Sequence, residues 1–377
     1  MSTVAIFGAG GGVGAQVARE LARADDVTTL CLYDINADAL QAEAMDAINV
    51  AEKYRAGSLE VKTQVLDMKN EDAVAAAVTA AKADVLVQAA IPFSWYRISR
   101  TLPPDVWKNV FLEGRLGPWL PLFTLLPLKL MRGRKLAGVD TPTVQISLPD
   151  CVNPVLSGVG LEPTCGAGNT DSVTAVLKAR AAKKLGVPTR DLTVRMVAHH
   201  FHSGFMRSPA QNDELETYPW WFRVYAAGVD VTDQFTSDAF LTEWRAHFPH
   251  QRPLYAASSA AKNTLRILRD DPTITHVVAP GGLAGGVDCR LTSKGAVPVW
   301  HPELPEAAAL ELLRKAGEGD GIAGYDADGG ARMTERAHAA LVKYIGYDCP
   351  VMRPDEIEVR AEELVAKLNE AAAKVAA

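Results

Sequence analysis

Seven residues, Gly8-Ala9-Gly10-Gly11-Gly12-Val13-Gly14, separate a short apolar run, Val4–Phe7, from a segment with helical spacing of apolar residues, Ala15–Ala24. Glycines at such a junction permit a tight turn and a close approach of backbone to a ligand. A following helix N-terminus adds free N–H groups and a favourable dipole for an anion such as a pyrophosphate. A glycine-rich string alone is a weak signal, because glycine turns are common. Asp34 strengthens it by closing a second β-rich run, Thr28–Tyr33, 20 residues after Gly14. A carboxylate there accepts hydrogen bonds from the adenosine ribose hydroxyls and repels a 2′-phosphate. The pattern predicts a dinucleotide site that prefers NAD to NADP, with Gly8, Gly11, Gly12, Val13, Gly14 and Asp34 as its residues.

The segments that follow keep alternating. Asp38–Tyr54 has helical spacing, Leu59–Leu66 reads as a strand, Asp72–Ala81 as an alanine-rich helix and Asp84–Ala89 as a fourth strand. This βαβαβαβ order predicts an α/β fold, a Rossmann-type doubly wound parallel sheet. A fifth strand is expected over Thr143–Leu148, ending at Asp150-Cys151-Val152-Asn153-Pro154. The second half changes character, with an amphipathic helix over Asp171–Leu185, a strand at Leu192–Val197 and a further helix at Ala256–Leu268. Strands near Thr275–Ala279 and Val287–Thr292 and a C-terminal helix over Pro354–Val375 complete the expectation. The reading divides the chain into a dinucleotide-binding domain, 1–154, and an α+β substrate domain, 155–377.

Composition narrows the function classes. A net charge of −6 gives no support to a nucleic-acid or anionic-membrane partner. The apolar stretch Leu116–Leu130 is too short and too rich in proline to span a bilayer. Five scattered cysteines without a C-x-x-C suit a reducing compartment. With no basic n-region before Val4, a cytoplasmic location is expected.

Three polar residues fall where apolar segments end: Asn153 after the fifth strand, Asp171 at a helix start and His200 at a strand end. Oxidation of an alcohol by NAD requires a base for the hydroxyl proton, and imidazole serves as acid and base near neutral pH. A carboxylate on its second nitrogen fixes the tautomer, so Asp171 and His200 are expected to pair.

These residues and motifs resemble the lactate/malate dehydrogenase superfamily over most of the chain. G-A-G-G-G-V-G looks like the malate dehydrogenase glycine loop, A-A-I-P (which brings Ala89 to the cofactor) is similar to A-G-V-P, V-N-P-V to S-N-P-V, and T-D-S-V to L-D-S-A. The resemblance implies an NAD-dependent oxidoreductase acting on a secondary alcohol or ketone, and a homodimer or homotetramer. It makes His200 the acid/base, Asp171 its carboxylate, and Asn153 the anchor of both substrate and nicotinamide. Departures accompany it. The family's carboxylate-binding arginine is Thr174 here, its first loop arginine is Phe93, and G-E-H-G-D has become A-H-H-F-H. Arg97 and Arg100 are then the candidates for substrate contact, and the expected small-molecule substrate is larger and more apolar than malate or lactate. No metal is assigned. The alternatives are an NAD- and metal-dependent glycosidase-like hydrolase, in which Cys165 or Cys151 joins a histidine of the His199/His200/His202 group, and a non-catalytic NAD-binding sensor.

Overall fold

The computed structural model describes residues 2–205, 217–235 and 253–376. Strands β1 (Ser2–Phe7), β2 (Val27–Asp34), β3 (Glu60–Val65), β4 (Val85–Gln88), β5 (Thr143–Gln145) and β6 (Cys165–Gly166) are parallel. Helices α1 (Gly12–Leu21), α2 (Ala37–Tyr54) and α3 (Glu71–Ala81) follow the first three. Asn36 and Asn70 start α2 and α3, each side chain accepting a backbone N–H three residues on.

The doubly wound expectation is met residue by residue in β1. Ala5 and Phe7 pack into one core with Leu86, Trp119 and Leu364. Val4 and Ile6 point the other way and join Leu21, Leu30 and Val277. Alternate side chains of a strand face opposite sides, so a strand apolar at every position needs both faces covered. Edge strand β3 is more exposed and carries Glu60, Lys62 and Thr63.

The sheet does not stop at the expected domain boundary. Residues 154 and 155 lie inside helix α7 (Pro149–Ser157, the seventh in chain order after α4 Trp95–Thr101, α5 Pro104–Asn109 and α6 Leu120–Leu136). Beyond it come β7 (Leu192–Val197), β8 (Trp221–Ala226) and β9 (Val229–Asp230), which form a separate antiparallel sheet. Strands β10 (Ile274–Val278), β11 (Gly286–Thr292) and β12 (Gly295–Pro298) extend the first sheet, giving the order β12-β11-β10-β6-β5-β4-β1-β2-β3. The connection from β10 to β6 is antiparallel, through Val278 and Gly166.

Leu116–Leu130 contributes to α6, a helix buried on nearly every side. Lys129 of α6 pairs with Glu71 at 3.1 Å and Glu358 at 2.9 Å, tying α3 and the C-terminal helix Ile357–Ala376 to it. Among the described residues no helix is long and apolar enough to cross a membrane. The fifth strand ends at Gln145 rather than Leu148. Ser147 gives its hydroxyl to Phe123 O, Leu148 turns to φ +44°, and Pro149 opens α7. That three-residue difference decides where Asn153 falls.

Candidate functional site

The glycine turn is built by close backbone contacts. Gly8 and Ala9 both donate to Tyr33 O, at 2.8 and 3.0 Å. Gly8 has φ +92°, and a Cβ there would lie 2.5 Å from Ala90 N. A Cβ on Gly14 would lie 2.1 Å from Gly8 O, so its role is to let the first turn of α1 close onto β1. Asp34 accepts from Gly10 N at 2.9 Å through Oδ2 and from Asn36 N at 3.0 Å through Oδ1. Over this turn lies a cavity of about 830 Å³, a size suited to a small-molecule ligand. Gly8, Gly11, Gly12, Val13 and Asp34 line one part, and Ala89 to Pro92 with Trp95 line another. It occupies the crevice beside β1 and β4, where the strand order reverses and open α/β sheets bind ligands.

The polar trio is not brought together as the sequence suggested. Asn153 does not follow a strand. It sits in the second turn of α7, fully buried, donating to Ala279 O at 3.0 Å and accepting from Gln145 Nε2 at 3.2 Å. The residues between β5 and α7 are instead Ile146-Ser147-Leu148. Asp171 does not pair with His200 either. Its Oδ1 meets Lys262 Nζ at 2.8 Å and its Oδ2 accepts from Ser259 Oγ at 2.5 Å. Burial disfavours its charge, but the Lys262 ammonium prevails and holds the carboxyl below the usual range.

The carboxylate at His200 is Asp320, 120 residues further on. It lies at the C-terminal end of the helix Glu306–Gly319. His200 Nδ1 is 3.1 Å from both Asp320 oxygens, and His199 Nδ1 is 2.9 Å from Oδ2. Burial works against an ionised Asp320, and the two imidazoles more than offset it, holding the carboxyl below the usual range. For His199, burial disfavours the cation and Asp320 outweighs it, raising the ring's pKa. His199 and His200 do not alternate across a strand, because β7 ends at Val197 and a helical turn starts at His200. His202 turns elsewhere, with Nε2 3.0 Å from Tyr218 O, and burial pushes it down to about 4, so it is neutral at pH 7.

Close packing sets this meeting. A Cβ on Gly319 would lie 2.7 Å from the Phe201 ring, and Asp320 O accepts from Leu116 N and Gly117 N at 3.1 and 2.7 Å. The cavity wall described above includes none of Cys151, His199, His200 and Asp320. Cys151, which follows Asp150, lies within 4.8 Å of the His199 and Asp320 ligand atoms. Ile146 N, just past the end of β5, donates to Gln88 O at the end of β4 at 3.0 Å.

The remaining candidates do less. Thr174 donates its hydroxyl to Asp171 O at 2.7 Å, within its own helix Thr170–Leu185. Arg97 and Arg100 are exposed on α4, and the Arg97 guanidinium sits 4.3 Å from the centre of the buried Phe93 ring. Beside them Trp95 lines the cavity and packs against Trp107, Phe111, Trp119 and Phe123, an aromatic wall behind it.

Residues 4–101 match the saccharopine dehydrogenase NADP binding domain. Solved structures with the same arrangement include the lactate dehydrogenase of Cryptosporidium parvum, determined with lactic acid and nicotinamide adenine dinucleotide. It is 17% identical, covers 85% of this chain and 96% of its own, and has a TM-score of 0.59. The malate dehydrogenase of Plasmodium falciparum, determined with NADH, is 15% identical over 85% and 96% of the two chains, with a TM-score of 0.56. That of Salinibacter ruber is 21% identical over 84% and 95%, at 0.54. No curated protein matches the sequence. The chain therefore has the fold of lactate and malate dehydrogenases in a divergent form, opened by a Rossmann dinucleotide-binding unit.

Gly319→Ala tests the packing that positions Asp320. The added methyl must displace Phe201, and a loss of about 1–3 kcal/mol in urea unfolding is expected. Unchanged stability would mean that the contact is soft.

Proposed function

We propose that the protein is a pyridine-nucleotide-dependent oxidoreductase that moves a hydride between nicotinamide and a secondary alcohol or ketone. The observation that carries this reading is a buried imidazole–carboxylate pair, His200–Asp320, in a chain that also holds a glycine turn, Asp34 and a cavity suited to a dinucleotide. With Nδ1 donating to Asp320, His200 keeps Nε2 for substrate. In the oxidative direction a nicotinamide held over the glycine turn would supply the acceptor for the carbinol hydrogen and its electron pair. The hydroxyl proton passes to His200 Nε2, and the oxygen's electrons close the carbonyl. Asp320 stabilises the imidazolium so formed and fixes the starting tautomer. It takes the place expected of Asp171.

The cofactor is proposed to be NAD, although the matched domain is named for NADP. Asp34 supports NAD because both of its oxygens already face backbone N–H groups of the glycine loop and the start of α2, where a 2′-phosphate would meet a fixed negative charge. Thr174 and Phe93 at the family's arginine positions, with the aromatic wall, support a substrate other than malate or lactate, since threonine offers neither the charge nor the fork geometry that grips a carboxylate. Turnover of malate or lactate at ordinary dehydrogenase rates would end this substrate reading.

His200→Asn is expected to lower kcat by about 10²–10⁴-fold, the usual worth of a general acid/base, while leaving the NADH dissociation constant within about threefold. Equal loss of both would remove His200 from the chemistry. Asp34→Ala is expected to narrow the NADH-to-NADPH affinity ratio by about tenfold, the scale of one charge-assisted hydrogen bond, as read by fluorescence titration. An unchanged ratio would take Asp34 out of cofactor selection.

A further inference from the structure

We propose that Cys151, His199 and Asp320 form a binding site for a divalent transition metal of the zinc class, with a fourth coordination position open. Cys151 Sγ, a ring nitrogen of His199 and an Asp320 oxygen all lie within 4.8 Å of one another. The three come from separate parts of the chain: the first turn of α7, the turn after β7 and the end of the helix Glu306–Gly319. Cys151 and His199 are fully buried and Asp320 is 4% exposed, so this is not a chance gathering of surface acids.

The donor types select the metal. Thiolate, imidazole and carboxylate together suit zinc, cobalt or iron and are a poor match for calcium or magnesium, which take oxygen ligands. Zinc bonds of about 2.3 Å to sulfur and 2.0–2.2 Å to nitrogen or oxygen place tetrahedral donors roughly 3.5 Å apart, so closing on the ion requires side-chain movement of about 1 Å or less. Three protein ligands with a vacant fourth position is the pattern of zinc sites that act on a substrate, whereas structural sites use four.

Two further observations point to a cation. Asp150, next to Cys151, is fully buried, with Oδ2 on Asn169 Nδ2 at 2.5 Å and Oδ1 unpartnered. A second buried carboxylate thus stands beside the thiol. Among the described residues Asp320 has no ion-pair partner other than His199 and His200, and no ion pair reaches Asp150. A dication would neutralise this group without displacing His200, which meets both oxygens of Asp320 and can keep the one that the metal leaves free. Backbone strain surrounds the same spot. Leu148 and Asn169, on either side of Asp150, both have φ above +40°, a conformation seldom held by non-glycine residues without a demand on it.

The site deepens the oxidoreductase reading, and only its chemical role rests on that reading. A metal here would supply the positive charge toward a substrate oxygen that Thr174 and Phe93 do not. Of the two sequence alternatives for a metal-binding cysteine, the geometry takes Cys151 and leaves out Cys165, and it takes His199 rather than His202.

The test loads the purified full-length protein with Zn²⁺ or Co²⁺ alone, removes excess ion, and measures bound metal by mass spectrometry. About one equivalent per chain is expected, with a near-ultraviolet thiolate-to-cobalt band in the Co²⁺ form. Cys151→Ser is expected to abolish the band, and Cys151→Ser, His199→Gln and Asp320→Asn each to weaken metal affinity at least tenfold. Circular dichroism checks that each variant is folded, and Cys165→Ser, also buried, controls for loss of a core thiol. Folded protein that binds no ion, or a band that survives Cys151→Ser and vanishes in Cys165→Ser, would overturn the proposal. Metal bound as described in a protein that shows no hydride transfer would instead overturn the oxidoreductase reading and leave the site standing.

Discussion

A carboxylate withdrawn from water is costly unless charges or hydrogen bonds replace its hydration, and Asp320 is such a carboxylate. Two consecutive histidines supply the replacement, and their geometry follows from that need. His199 and His200 can both face one acid only because β7 gives way to a helical turn between them. The acid can reach them only because Gly319 lets its helix end press on Phe201, while Leu116 and Gly117 hold the Asp320 carbonyl. Removing the carboxylate would leave two buried rings without their hydrogen-bond partner. The helix Glu306–Gly319, the turn before α6 and the end of β7 thus converge on a single ionised group.

The Rossmann half of this architecture was legible in the sequence because its signals are local. A buried strand, a glycine turn and a helix occur within about twenty residues of one another, and Gly8, Gly10 and Gly14 answer contacts that a Cβ would break. Asp34 was legible for the same reason, since its distance from the loop is set by one helix and one strand. The five N-terminal β-rich runs all became neighbours in one parallel sheet, as alternating βα order requires.

The second half, with the proposed acid/base pair, was less legible, and the failures have physical causes. V-N-P-V looked like the turn after the fifth strand, yet that strand ends at Gln145, where Leu148 adopts a left-handed conformation that no local pattern announces. Asp171 carried the right flanking residues, but Lys262 and Ser259 from a helix some ninety residues later engage its oxygens. Asp320 lies in E-G-D-G-I, a segment with no signature of its own, and only tertiary packing brings it to His200. Contacts between residues distant in sequence leave little trace in a single chain, while chemistry concentrates at such contacts. His200 stands at the turn after β7, where the family resemblance put it.

The central claim is that Asp320 fixes His200 with the proton on Nδ1 and the lone pair of Nε2 facing outward. Nitrogen-15 NMR of histidine-labelled protein at neutral pH reads this directly, without knowledge of the substrate. The account predicts that the neutral form of the His200 ring carries its proton on Nδ1, a preference lost in Asp320→Asn. A His200 ring protonated at Nε2, indifferent to that substitution, would contradict it.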